Sequence, residues 1–268
     1  MEPSDHSISA LRKMLDGAAD DAVAETICAV LDSDARAGAR ALAATWRKRR
    51  DARDRERARL DGLFALRRSL RERGARYVAG VDEVGVGPLA GPVVAAAVVL
   101  QDEVDLPGLD DSKKLSGKRR EALDERIRAQ AVAVGIGEVA PDEIDRLNIH
   151  RASLEAMRRA VEAVDAQCPL DHLLVDARIV PGVRLPPRQQ TSLIRGDSRD
   201  GSIAAASIVA KVHRDAIMRE LEAVHPGYGF GRHMGYGTAE HIDALQRLGA
   251  TPVHRRSFAP VAAVAPAR

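Results

Sequence analysis

One stretch constrains this chain more than any other: Tyr77-Val78-Ala79-Gly80-Val81-Asp82-Glu83-Val84-Gly85-Val86-Gly87-Pro88-Leu89-Ala90-Gly91-Pro92-Val93-Val94. An apolar run enters it, and a second, Val93 to Leu100, leaves it. Both read as strands, neighbours joined only by the glycine loop. Two adjacent carboxylates, Asp82 and Glu83, stand where the first strand should end. The run of Gly and Pro that follows lets backbone approach a ligand closely and fixes the turn. Packing explains poorly why acids should leave a buried strand beside such a loop. A metal site facing a phosphate backbone explains it well.

From Tyr77 onward the pattern alternates between strands and helices. Strands are expected at Tyr77–Asp82, Val93–Leu100, Val132–Val139 and Leu173–Asp176. Helices are expected from Ser116 to Gln130, Asp142 to Leu147, Ile149 to Val164 and Ser202 to Val224, with a last one capped by Thr238 and closed by Gly249. Ile179 to Gln190 reads as Pro-rich loop, and Ala259 to Arg268 as a frayed tail. This order predicts an α/β fold, a mixed sheet with helices on both faces. With aromatics at only 3%, Ala, Val, Leu and Ile must build the core.

Residues 1–72 differ from the rest. Apolar spacing predicts helices at Ser7–Leu15 and Asp21–Leu31, and Ala35 to Arg73 is a helix-favouring mix of Ala, Arg, Leu, Asp and Glu. Arg47 to Arg59 carries eight bases against three acids. A small helical domain with a basic connector helix is expected, the charges being either a solvated face with i,i+4 pairing or an attraction for phosphates. A net charge of +2 makes the chain no blanket polycation, so affinity for nucleic acid must come from local patches. Cys28 and Cys168 have no metal or disulfide-scaffold spacing and read as reduced thiols of a cytoplasmic protein. No apolar run reaches the ~18 residues of a membrane span. The N-terminus lacks the basic-then-apolar order of a signal peptide.

Four acids carry the chemical reading: Asp82, Glu83, Asp176 and Asp197. Asp82 and Asp176 each end a short apolar run, and neighbouring strands could bring them together. Asp197 precedes the long helix, where a helix cap is the plainer role for a lone aspartate. Four converging carboxylates cannot all stay ionised without cations. Mg²⁺ or Mn²⁺ suits an all-oxygen set, and nothing in the sequence has the Cys/His pattern of zinc. Two such ions about 3.5–4 Å apart activate a water and stabilise the leaving oxygen in phosphodiester cleavage.

The central stretch resembles the signature of type 2 ribonuclease H, ribonuclease HII of bacteria: Asp-Glu-Val-Gly-Arg-Gly-Pro-Leu-Ala-Gly-Pro-Val-Val. The resemblance runs from about Tyr77 to Pro260 through several motifs in order. It implies a ribonuclease-H-like catalytic domain over 73–260, a helical extension over 1–72 that assists substrate binding, and a disordered tail over 261–268. It also implies a monomer that cuts the RNA strand of RNA/DNA hybrids. DNA duplexes containing ribonucleotides would be cut 5′ of the ribonucleotide, leaving a 3′-hydroxyl and a 5′-phosphate, with no membrane partner. Asp82, Glu83, Asp176 and Asp197 fall on the family's metal-binding carboxylates. Gly85, Val86 and Gly87 fall on the tripeptide that reads the ribose, whose 2′-hydroxyl distinguishes it from deoxyribose. Tyr236 falls on a tyrosine that packs on the following deoxyribose. Ser112, Lys113 and Lys114 suit phosphate binding ahead of a helix. Ser207 and Lys211 are further candidates for the substrate face. The basic segment His254-Arg255-Arg256-Ser257-Phe258 closes the match and is either backbone-facing or structural. The chain departs from the pattern at Val86, Ala177, Arg195 and Met234, where the family has Arg, Gly, Lys and Lys. Two alternatives stand beside this reading: type 3 ribonuclease H, and a non-catalytic hybrid-binding protein of the same fold.

Overall fold

The computed structural model describes residues 6–264. They form two compact units, dividing between Asp61 and Gly62. The first contains α1 (Ile8–Asp16), α2 (Asp21–Asp32) and most of α3 (Ala37–Leu63). Ser7 and Asp20 cap the first two helices through their side chains. Leu11, Leu15, Ala24, Cys28, Leu31, Ala39 and Ala43 close a small core. The basic stretch of α3 is partly spoken for. Arg47 pairs with Glu25 and Asp32 of α2 at 2.8 Å each, and Arg53 pairs with Asp21. Lys48, Arg49, Arg55 and Arg57 are exposed.

The second unit opens with α4 (Ala65–Glu72), whose Leu66 and Leu70 pack against Val78, Leu174 and Ile203. The two compact units divide inside α3, and the apolar face of α4 packs within the sheet unit. There follow β1 (Val78–Val84), β2 (Val93–Leu100), α5 (Gly117–Gln130), β3 (Ala131–Val139), α6 (Pro141–Leu147), α7 (Ile149–Asp165), β4 (His172–Asp176), β5 (Gln190–Leu193), α8 (Gly201–Val224), α9 (Phe230–His233), α10 (Ala239–Leu248) and α11 (Ala259–Ala262). The sheet order is β3-β2-β1-β4-β5. β1 runs antiparallel to β2 and parallel to β4, and β5 runs parallel to β4.

Two helices sandwich the sheet. α7 presents Ala152, Ala156, Met157, Ala160, Val161 and Val164 at helical spacing to one face, against Ala79, Val81, Ala95, Ala97 and Val175. α8 crosses the other face so closely that a methyl on Gly80 would stand 2.1 Å from the Ser202 carbonyl oxygen. Glycine at position 80 is what lets the helix reach the strand. With both faces covered, β2 is buried throughout, which is why it reads as one unbroken apolar run.

The expected elements are present, and others join them. β5 starts on the last residue of the expected loop, Gln190, and continues through Thr191-Ser192-Leu193, which has no apolar alternation and owes its strand to pairing with β4; α9 is a further short helix that the pattern did not show. The stretch read as a frayed tail contains α11, whose Val261 is fully buried against Leu89 and Leu245. Residues 265–268 lie outside the described part. Both cysteines are buried free thiols.

Candidate active site

The sheet delivers the acids. β1 and β4 are parallel, and their last paired residues are Val81 and Val175. Asp82 and Asp176 are each the next residue along, so they stand side by side on adjacent strands, with Asp82 still within β1, which runs on to Val84. Side chains alternate along β1: Val81 faces α7, while Gly80 faces α8. Asp82 therefore points to the α8 side and Glu83 to the α7 side. β5 ends at Leu193, opposite Asp176. Beyond it a short 3₁₀ turn, Gly196–Ser198, carries Asp197. That turn is tied to the third acid by the Gly196 N–H, which donates to Asp176 Oδ1 at 2.6 Å.

These carboxylates lie within electrostatic reach of one another and are poorly hydrated. Asp82 is 5% exposed and its pKa is pushed well above the ordinary carboxylate range. Burial does most of this, Glu83 and Asp176 add to it, and the Ser207 hydroxyl opposes it. Burial also raises Glu83, against the pull of Arg178, whose guanidinium is 3.7 Å from Glu83 Oε1. Asp176 is raised by burial and by Asp197, against the Gly196 N–H and Lys113. The Lys113 ammonium lies 3.4 Å from Asp197 Oδ2. Among the described residues no three acids, histidines or cysteines close into a ready-made metal cage. The donor set nevertheless suits a hard cation: it is all oxygen, and Glu83 Oε2 is buried with no hydrogen-bond partner among the described residues.

The glycine loop forms the adjoining wall. Gly85 has φ +86°, and a methyl on it would meet Arg214 Nε at 2.2 Å, so only glycine fits. The ring of Tyr236, 44% exposed, stands beside this loop: a methyl on Gly87 would lie 3.7 Å from its Cε1. Ser112 and Ser207 are brought together, their hydroxyls 2.9 Å apart and buried beneath Asp82. Lys114 pairs with Asp110 at 2.9 Å and Lys211 with Asp215 at 2.7 Å, so neither ammonium is directed at the acids.

Sequence reasoning passed over Arg178 and Arg214, and it left Arg255 undecided. Arg178 follows the third acid by two residues, a signal that could have been read. Arg214 and Arg255 carry no local sign of their task, since their partners lie on the glycine loop.

The family model described as Ribonuclease HII matches residues 79–261, the span that contains all of these groups. The chain belongs to the ribonuclease HII family. A second model, the ribonuclease HII N-terminal domain, matches residues 7–71. The ribonuclease HII of Geobacillus kaustophilus is 51% identical over 232 residues, 87% of each chain. That of Bacillus cereus is 46% identical over 232 residues, 87% of this chain and 88% of its own. Among solved structures, the ribonuclease H2 of Pyrococcus horikoshii aligns at a TM-score of 0.58 and 25% identity, covering 70% of this chain and 96% of its own. The ribonuclease HII of Archaeoglobus fulgidus, solved with PCNA, aligns at 0.55 and 27%, covering 68% and 95%. Membership of this family makes the chain a ribonuclease H enzyme and implies endonuclease activity on RNA/DNA hybrids. Among the described residues no helix is long and apolar enough to cross a membrane.

Three departures of this ribonuclease HII from the family signature stand where the backbone is unusual. Ala177, Arg195 and Met234 have φ of +50°, +56° and +52°. Ala177 sits where the signature has glycine, so it holds a left-handed conformation against its own Cβ.

Proposed function

We propose that the chain hydrolyses the RNA strand of RNA/DNA hybrids and cuts on the 5′ side of single ribonucleotides within duplex DNA, leaving a 3′-hydroxyl and a 5′-phosphate. The convergence of Asp82, Glu83, Asp176 and Asp197 at one end of β1, β4 and β5, beside a bare main-chain loop and an exposed tyrosine, carries this reading. Asp82, Glu83, Asp176 and Asp197 would hold two divalent cations, Mg²⁺ or Mn²⁺. When bound, these supply an activated water and neutralise charge on the leaving 3′ oxygen.

The remaining residues bind and orient. Gly85, Val86 and Gly87 offer main-chain groups to the 2′-hydroxyl, the handle that separates ribose from deoxyribose. Tyr236 offers its ring to the next sugar and so favours an RNA-to-DNA junction. Lys113, poised at Asp197, meets the phosphate, and Lys114 supplies charge behind it. Ser112 and Ser207 act from beneath, holding Asp82. Lys211 stays paired with Asp215 on the same wall.

The test is a DNA duplex carrying one ribonucleotide, incubated with Mg²⁺ or Mn²⁺, with the product ends mapped. Cleavage 5′ of the ribonucleotide, abolished by Asp82→Asn, is expected. Tight binding with no cleavage under either metal would overturn the catalytic reading.

A further inference from the structure

Two arginines are buried under the glycine loop, with acids no nearer than Asp215 and Asp145, which act on them only at a distance. Arg214 of α8 and Arg255 are both fully buried, and among the described residues neither forms an ion pair with a carboxylate. Their guanidinium groups are used up on main-chain carbonyls. Arg255 donates from Nη2 to Gly85 O at 2.6 Å, from Nη1 to Val86 O at 3.0 Å, and from Nε and Nη2 to Gly91 O at 3.0 and 2.9 Å. Arg214 donates from Nε to Pro92 O at 2.9 Å, from Nη2 to Ala90 O at 3.0 Å and from Nη1 to Met234 O at 2.9 Å. Burying a cation without a carboxylate is costly, so burial pushes both pKa values down, to about 9 and about 10.

The geometry of the peptide bond says what this arrangement achieves. In a trans peptide the C=O of one residue and the N–H of the next point in opposite directions. Drawing Gly85 O and Val86 O inward to Arg255 therefore turns the Val86 and Gly87 amides outward. Among the described residues those two N–H groups make no hydrogen bond. They are aligned donors on the wall that also carries Tyr236, and the cation behind them polarises both peptides towards stronger donation. Arg214 ties the same loop to the Met234 carbonyl, two residues before Tyr236. The side chain at position 86 has no part in this, so Val86 is compatible with it.

We propose that Arg255, assisted by Arg214, is a specificity-determining positioning residue, which orients the Val86 and Gly87 amides to receive a ribose 2′-hydroxyl. This rests on the reading of Gly85–Gly87 as the ribose-reading loop. The test compares binding of two duplexes by fluorescence anisotropy in Ca²⁺: one with a single ribonucleotide, one all-deoxy. The full chain is used as wild type, Arg255→Lys and Arg214→Lys. Lysine keeps the charge and loses the fork.

For Arg255→Lys the preference for the ribonucleotide duplex should fall about tenfold, the scale of one or two misaligned hydrogen bonds. All-deoxy affinity and Mn²⁺ affinity should stay within about twofold. Arg214→Lys should show a smaller fall of the same kind. A folded Arg255→Lys variant with undiminished preference overturns the inference, and so does an equal loss on both duplexes. If Arg255→Lys does not fold, undiminished preference in folded Arg214→Lys overturns it. If the wild type itself shows no preference, the ribose-reading role of the loop fails first and takes this inference with it.

Discussion

Arginine is used in two opposite ways in this molecule. On α3, Arg47 and Arg53 are partly or largely exposed and paired with acids of α2. Under the glycine loop, Arg214 and Arg255 are fully buried and donate their hydrogen bonds to carbonyls, not to carboxylates. The carboxylates divide in the same way: Asp21 and Asp32 are exposed ion-pair partners, whereas Asp82 and Asp200 are buried. Exposed pairs are screened and add little to stability, while a buried charge short of partners works against the fold. Asp82 and the two buried arginines thus put unfavourable charge at the end of β1 where a polyanionic substrate and its cations would be received, while Asp200 adds more near the start of that strand, beside Arg67.

The largest expected effect comes from relieving that concentration. Asp82→Asn should abolish cleavage and stabilise the metal-free protein by ~1–2 kcal/mol at pH 8. Burial raises the Asp82 pKa in the folded state above that of the unfolded chain, so wild-type stability falls as pH rises from the ordinary carboxylate range towards the raised value. The gain in the asparagine variant should accordingly shrink towards pH 4. Denaturant titrations at both pH values check this, and a variant less stable than wild type at pH 8 would break the contrast drawn above.

Asp200 allows a sharper version without touching the four acids. It is fully buried and caps α8 through Oδ1, which accepts from the Ser202 and Ile203 amides at 2.8 and 3.2 Å. Burial raises its pKa to about 6, against those amides and Arg67. Stability is lost between the ordinary value near 3.8 and about 6, and stays lost above. Asp200→Asn keeps an acceptor oxygen, so it should stabilise by ~1 kcal/mol at pH 8 and leave stability unchanged below pH 4. Equal effects at the two pH values would show that the charge is not what costs.

Ala177→Gly should stabilise by ~0.5–1 kcal/mol, relief of the left-handed strain less the entropy of glycine. A thermal melt reads it, and destabilisation would mean that the Ala177 methyl makes a contact worth more than the strain. At the small end, Arg53→Ala should change stability by less than about 0.5 kcal/mol, and by less still in high salt. A loss several times larger would place the α2–α3 ion pairs on the same footing as the buried charges.

Most of the candidate site was legible in the chain because its signals are local. A buried run that ends on Asp82-Glu83 and turns into glycine announces itself within a dozen residues, and Asp176 ends a second such run. β5 was not legible, since Gln190–Leu193 has no alternation of its own and is a strand only beside β4.

By itself the sequence determined the first four strands, the long helices, the four candidate acids and the bare loop, since periodicity and turn chemistry are properties of neighbours along the chain. Only the tertiary structure decided what lies beneath that loop. Arg255 reaches the Gly85 carbonyl across 170 residues, and Arg214 reaches the Ala90 carbonyl across 124. An arginine's five donors look alike in every sequence context. Whether they meet water, an acid or a row of carbonyls is settled by which distant backbone the fold places against them.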